Sequence, residues 1–210
     1  MKVMQSAKAA LNLVHDRAVF GRRVRVLAAE IAAAIPTGGD VLDLGAGDGS
    51  IAAAVMAMRP DLKFSGVDVM LRPVRRIEVA LYDGKRLPFA DRSFDYVTIV
   101  DVLHHTDDPA EVLAEAARVA RLGVVVKDHR REGFLAGPTL RLMDWVGNRG
   151  HDVVLPYNYL SDAEWDVALG RAGLSRASET RRLGLYPVPF GWVFDRGLHF
   201  IARLVRTDRG

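Results

Sequence analysis

Apolar residues recur at helical spacing from about Ser6 to Ile35, with a break near Gly21 and a stop at Pro36-Thr37-Gly38-Gly39, which predicts two helices and a turn. The period then changes. Val41-Leu42-Asp43-Leu44 reads as a strand running into Gly45-Ala46-Gly47-Asp48-Gly49, and Ser50 to Met58 as an Ala-rich helix stopped by Arg59-Pro60. Further strands are predicted at Phe64 to Val69, Ile77 to Tyr82, Phe94 to Val100 and Gly123 to Val126. Pro109 to Ala120 is a strong helix, with Asp107 or Asp108 as N-cap and Pro109 in the first turn.

Strands that alternate with helices predict an α/β fold: a doubly wound, Rossmann-like sheet, mostly parallel, with its ligands at the carboxyl ends of the strands. After Lys127 the pattern turns rich in Gly, Pro and aromatics, with a short helix expected over Leu140 to Val146 and another over Asp162 to Ala172. The strands Leu174 to about Leu185 and His199 to Val205 are placed to form an antiparallel C-terminal pair. The expected organisation is one domain over residues 1–210, with residues 1–38 as a partial helical lid and 130–160 as an inserted substrate cover.

Composition narrows the classes. Half of the 210 residues are apolar and 26% charged, as suits a well-filled globular core. The chain has no Cys, which removes disulfides, zinc–thiolate sites and thiol nucleophiles and fits a cytoplasmic setting. A net charge of +3 and no dense basic stripe point away from nucleic acid. No secretory signal or membrane span is expected, and the oligomeric state is not legible.

The glycine loop carries the first chemistry. A strand–glycine loop–helix turn brings backbone N–H groups close to a ligand. The spacing here is GxGxG rather than GxGxxG, with Asp43 two residues ahead of the first Gly and Asp48 inside the loop. Carboxylates facing the ligand would repel a pyrophosphate and favour the ammonium and sulfonium of S-adenosylmethionine (SAM). Asp68 ends the second strand, where an acid accepts hydrogen bonds from ribose hydroxyls, and Val69 and Met70 then offer apolar surface to an adenine. Asp83 could accept from the adenine amine, while Gly84 permits close approach.

Taken together, VLDLGAGDG, GVDV, DGKRLPFADRSFDYV and DVLHH resemble the successive motifs of the class I SAM-dependent methyltransferases, especially the small-molecule branch that includes ubiquinone and menaquinone methyltransferases. The resemblance spans Val41 to Val126. It implies that Asp43, Gly45 and Gly47, with Ala46 between them, hold the methionine part of SAM. It further implies Asp68 at the ribose, Met70 and Asp83 at the adenine, and Asp101 at the rim of the sulfonium end. One departure is the connection between strands two and three, too short for the usual crossover helix and expected to be a turn around Arg72-Pro73.

For catalysis the topology brings Asp101-Val102-Leu103-His104-His105 beside Lys127-Asp128-His129. His105 and His129 are the expected bases and Asp128 the residue that orients a histidine or meets the acceptor. Asp101 and Asp128 also resemble the magnesium ligands of catechol O-methyltransferase-like enzymes, but no metal is expected. Trp145, Tyr157, Tyr159, Tyr186, Phe190, Trp192 and Phe194 could line an apolar acceptor pocket. Arg17, Arg22, Arg23 and Arg25 could capture an acidic acceptor or form a solvated helix face. The expected activity is methyl transfer from SAM to a small, lipophilic or aromatic acceptor; an NAD-dependent oxidoreductase and a non-catalytic SAM-binding protein are the alternatives.

Overall fold

The computed structural model describes residues 20–147 and 157–207, with side chains except at 144–147. Helix α1 spans residues 20–34, followed by β1 (Gly39–Leu44), α2 (Ser50–Met58), β2 (Leu62–Asp68), β3 (Val79–Leu81) and β4 (Phe94–Val100). A 3₁₀ turn (Leu103–His105) leads to α3 (Pro109–Val119), β5 (Ala120–His129), α4 (Ala136–Gly147), α5 (Asp162–Arg171), β6 (Leu174–Thr180), α6 (Gly191–Phe194) and β7 (His199–Arg206). The first predicted helix, before Gly21, lies outside the described residues.

The seven strands form one sheet in the order β3-β2-β1-β4-β5-β7-β6. The first five are parallel, while β7 pairs antiparallel with both β5 and β6. From β1 the chain winds outward one way through β2 and β3 and then returns to β4 on the other side. That reversal opens a crevice at the carboxyl ends of β1 and β4.

Alternation along the strands sends side chains into two cores. Leu42, Leu44, Val97, Ile99, Val124 and Val126 pack on one face with Leu113 of α3 and Trp165 of α5. Val41, Tyr96, Val125 and Ile201 face the other way, against Leu27, Ala28 and Ile31 of α1 and Val55 of α2. The N-terminal helix is thus a full core layer as well as a neighbour of the site.

Local signals set several helix starts. Asp108 is the N-cap of α3, its side chain accepting from the Ala110 N–H, with Pro109 at the first position. Ser161 and Glu164 form a reciprocal capping box at α5.

Strand lengths differ from the sequence expectation at the edges. β3 shrinks to three residues because its partner β2 offers pairing only from Gly66 to Asp68. β5 grows to ten because β4 and β7 flank it on both sides. β6 stops at Thr180, where pairing with β7 ends at Ile201. Residues 69–78 contain no helix, as the short crossover predicts, and leave Val69, Met70, Leu71, Val74 and Leu81 exposed at this edge.

Candidate functional site

The glycine loop sits on the end of β2. The Gly45 and Ala46 N–H groups donate to the Val67 carbonyl, at 2.8 and 3.1 Å, and Gly66 leaves the room that the Ala46 methyl occupies. Gly45 has φ +77° and lies so close to Val102 that a Cβ there would come within 2.3 Å of Val102 Cγ2. Gly47 (φ +58°) faces open space, with no atom within 4 Å of where a Cβ would stand, so its backbone is free to be approached by a ligand.

The acids around this loop behave differently from one another. Asp68 accepts from the Gly47 N–H at 2.8 Å and the Met70 N–H at 3.0 Å, tying the loop to the end of β2. Asp83 closes a turn by accepting from the N–H groups of Lys85 and Arg86, which hold its carboxyl below the usual range. Gly84 packs beside Val69, where a Cβ would stand 3.1 Å from Val69 Cγ1.

Asp48 corrects one assumption made from sequence, that both loop acids face the ligand. Its carboxylate accepts from the Ser50 N–H at 3.0 Å and the Ser50 hydroxyl at 2.6 Å, so it covers the start of α2. The place where a dinucleotide pyrophosphate meets a helix N-terminus is therefore already filled by an anion. Asp43 is the acid buried beneath the loop. It accepts from Thr98 Oγ1 at 2.7 Å, and burial, with Asp68 nearby, pushes its carboxyl up to about 6 in spite of that bond.

These features fit a SAM molecule on three counts: the open backbone at Gly47, the exposed apolar Val69 and Met70, and a buried carboxylate whose charge a bound ammonium would offset.

The second group lies beyond β4 and β5. Asp101 adopts φ +55°, a conformation costly for a residue with a Cβ. Its N–H continues the β4–β5 ladder to the Lys127 carbonyl at 2.9 Å, and its carboxylate is paired with Lys127 Nζ and the Arg23 guanidinium. Burial would raise the Asp101 carboxyl, but these two cations hold it well below the usual range. Burial also lowers Lys127, which is 1% exposed and stands 3.4 Å from His199 Nδ1.

Asp128 is fully enclosed. One oxygen accepts from the Leu103 N–H at 3.0 Å; the other lies 2.7 Å from His104 Nδ1, 2.7 Å from the His129 N–H and 3.3 Å from His129 Nδ1. Burial works against its charge, yet the two histidines more than offset that and hold the carboxyl far below its ordinary value. Burial and the Lys127 charge lower His129 and His199, keeping both neutral near pH 7.

Tyr159 stacks on His104 at 5.5 Å and meets the edge of His129 at 5.7 Å, while Tyr186 lies between Phe194 and His199. His105 lies 4.0 Å, ring to ring, from His104.

The structure thus brings together His129, Asp128 and Asp101, with His105 against the His104 ring; it adds His199, together with His104 and Lys127, which the sequence placed in the two candidate stretches without giving them a role. His104 was legible only as one of two adjacent histidines, and the 3₁₀ turn decides which of them reaches Asp128. Lys127 signalled itself as a charged residue in an apolar strand. His199 carried no local signal, since only the antiparallel placement of β7 sets it opposite His129.

Of the arginines considered, Arg23 reaches the site, Arg22 donates to the Gly184 carbonyl, and Arg17 lies outside the described residues. Among the aromatics, Phe190 and Trp192 are exposed, and the Trp145 side chain is not described.

Comparison with known proteins bears on this arrangement. Residues 42–126 match the family model described as a methyltransferase domain. The chain is 37% identical over 97 residues to a ubiquinone/menaquinone biosynthesis C-methyltransferase of Desulfotalea psychrophila, covering 42% of this chain and 39% of that protein. It is 31% identical over 157 residues to a demethylmenaquinone methyltransferase of Renibacterium salmoninarum, covering 68% and 65%. The chain thus spans about two fifths of the first of these relatives and just under two thirds of the second.

Among solved structures, a methyltransferase in complex with the Haloferax volcanii Trm112 activator superposes with a TM-score of 0.71 at 18% identity, over 91% of this chain and 93% of that one. The mitomycin 7-O-methyltransferase MmcR gives 0.61 at 21% identity, over 87% and 54%. At these identities the structural likeness shows the fold.

Proposed function

We propose that this chain, whose residues 42–126 match the methyltransferase-domain model, is a class I SAM-dependent methyltransferase that transfers the methyl group of SAM to a small, lipophilic or aromatic acceptor held above the ends of β4 and β5. The observation that carries this reading is the juxtaposition of two groups across the switch point: an open glycine loop with buried Asp43, and a buried set of histidines and acids on the next strands. When bound, SAM supplies an electrophilic methyl on a cationic sulfur. The protein's part is to align the acceptor, exclude water and hold a proton where the acceptor must lose one.

In this reading Asp43, Gly45, Ala46 and Gly47 bind the methionine end, and Asp68, Val69, Met70, Asp83 and Gly84 line the nucleoside. Asp101 marks the boundary with the acceptor. His105 and His129 serve the acceptor as bases, and Asp128 fixes the imidazoles on β5 and the 3₁₀ turn. An apolar acceptor is supported by Tyr159 and Tyr186 packed on the histidines, and by relatives named for quinone methylation.

The test is turnover of labelled SAM with a panel of hydroxylated naphthalenes and quinols. Transfer that is lost in His129→Gln and weakened in Asp68→Ala supports the reading. Binding of SAM without transfer to any acceptor would leave a binding protein instead.

A further inference from the structure

Two imidazoles and a carboxylate meet in the core at Asp128. Three nitrogens approach its Oδ1: His104 Nδ1, the His129 N–H and His129 Nδ1, at 2.7, 2.7 and 3.3 Å. The two Nδ1 atoms also face each other at 3.3 Å. Without an ion, one tautomer satisfies the set: the His104 Nδ1–H is shared between Asp128 Oδ1 and the His129 Nδ1 lone pair. A cation in place of that proton is held by the same three side-chain atoms, because each then points a lone pair at one centre.

Two of the three edges have the dimensions of such a centre, and the third, between His104 Nδ1 and Asp128 Oδ1, opens by about 0.6 Å to reach them. Two ligands ~2.0–2.1 Å from a tetrahedral ion stand ~3.3 Å apart, and the side-chain donor separations here are 2.7, 3.3 and 3.3 Å, with Asp101 Oδ1 at 3.6 Å from His129 Nδ1. All four donor groups, Asp101, His104, Asp128 and His129, offer ligand atoms within 4.8 Å of one another. Lys127 and Arg23 compete for Asp101, so the ligands left available are the two imidazoles and Asp128. Two nitrogens and a carboxylate suit zinc or another first-row divalent ion better than magnesium, which prefers oxygen throughout.

We propose that His104 Nδ1, His129 Nδ1 and Asp128 Oδ1 bind one divalent transition-metal ion of the zinc type, with the fourth position left to a water beside Asp101. The site ties the end of β5 to the turn after β4. With the ion in place the proton-accepting role falls to His105. The proposal goes beyond the methyl-transfer reading and is tested without SAM or acceptor.

Full-length protein stripped with a chelator and dialysed should take up one equivalent of Zn²⁺, by mass spectrometry of the metal and by calorimetry. Substitution with Co²⁺ should give the visible bands of a four-coordinate ion. His104→Ala and His129→Ala should each lower zinc affinity at least 100-fold, whereas His199→Ala, which removes the neighbouring imidazole on Lys127, should leave it within about threefold. Should the alanine variants fail to fold, histidine-selective NMR of the wild-type chain gives the same answer: zinc must shift His104 and His129. Uptake well below one equivalent, or uptake that persists in the folded His104→Ala and His129→Ala variants, overturns the proposal.

Discussion

The two halves of the sheet's carboxyl edge use their acids in opposite ways. On the β1–β2–β3 side, Asp48, Asp68 and Asp83 all bond to backbone N–H groups, mostly two or three residues away. On the β4–β5–β7 side, Asp101 and Asp128 pair with side chains of Arg23, Lys127 and His104, 24 or more residues distant, and Asp128 also accepts from the Leu103 and His129 N–H groups. The first arrangement is set by turns and stands ready for a ligand at little cost. The second depends on every partner being present, because a buried charge that loses its partner is strongly destabilising. Asp43 is the exception on the first side, an acid buried there that accepts a side-chain hydrogen bond from Thr98 and has Asp68 nearby.

The largest expected contrast follows directly. Asp128→Ala should cost ~3–5 kcal/mol in urea unfolding, whereas Asp83→Ala, which opens one exposed turn, should lower the unfolding midpoint only slightly. Equal effects at the two positions would break the comparison.

Asp43 sharpens it. Its folded carboxyl is raised from 3.8 to about 6, so between those values the native state holds a proton that the unfolded chain releases. Stability of the ligand-free protein should therefore fall as pH rises through this window, by ~3 kcal/mol in all. Asp43→Asn should abolish that fall and be the more stable protein at pH 8, while binding SAM more weakly. Melting curves from pH 4 to 8 and calorimetry check both.

His129 and His199 push the other way. Both are held neutral by burial, so the unfolded chain takes up protons first on acidification. In the Asp43→Asn background, stability should drop as pH falls below the unfolded histidine value of ~6.5, by up to ~1.4 kcal/mol per pH unit for each group. His199→Gln should flatten part of that slope.

The smallest contrast lies within the glycine loop. Gly45→Ala should cost ~2–3 kcal/mol, from left-handed strain plus the clash with Val102, and Gly47→Ala ~1 kcal/mol from strain alone. Gly47→Ala should nonetheless lose more SAM affinity, because its new methyl fills the space open to the ligand. Val102→Ala should recover the clash in the Gly45 variant.

Most of the conformation on the β1–β2–β3 side was legible because its signals are local. The Gly45, Gly47 and Gly49 spacing, the Asp68 strand end and the Asp108-Pro109 cap each specify a conformation within a few residues. The direction of Asp48 was not, since a hydroxyl two residues ahead captured a carboxylate that the spacing alone would leave free. On the β4–β5–β7 side the sequence marked the histidines and acids after β4 and β5, but not which of two adjacent histidines turns inward, nor that His199 joins them.

By itself the sequence determined the alternation of strands and helices, the glycine loop and the order in which acids fall at strand ends, because periodicity and turn chemistry act over short stretches. Only the tertiary structure decided which groups share a dry interior: Lys127 with Asp101 and Arg23, and Asp128 with His104 and His129. Those partners come from separate strands and helices, and the burial that sets their charge states exists only once the sheet has closed over them.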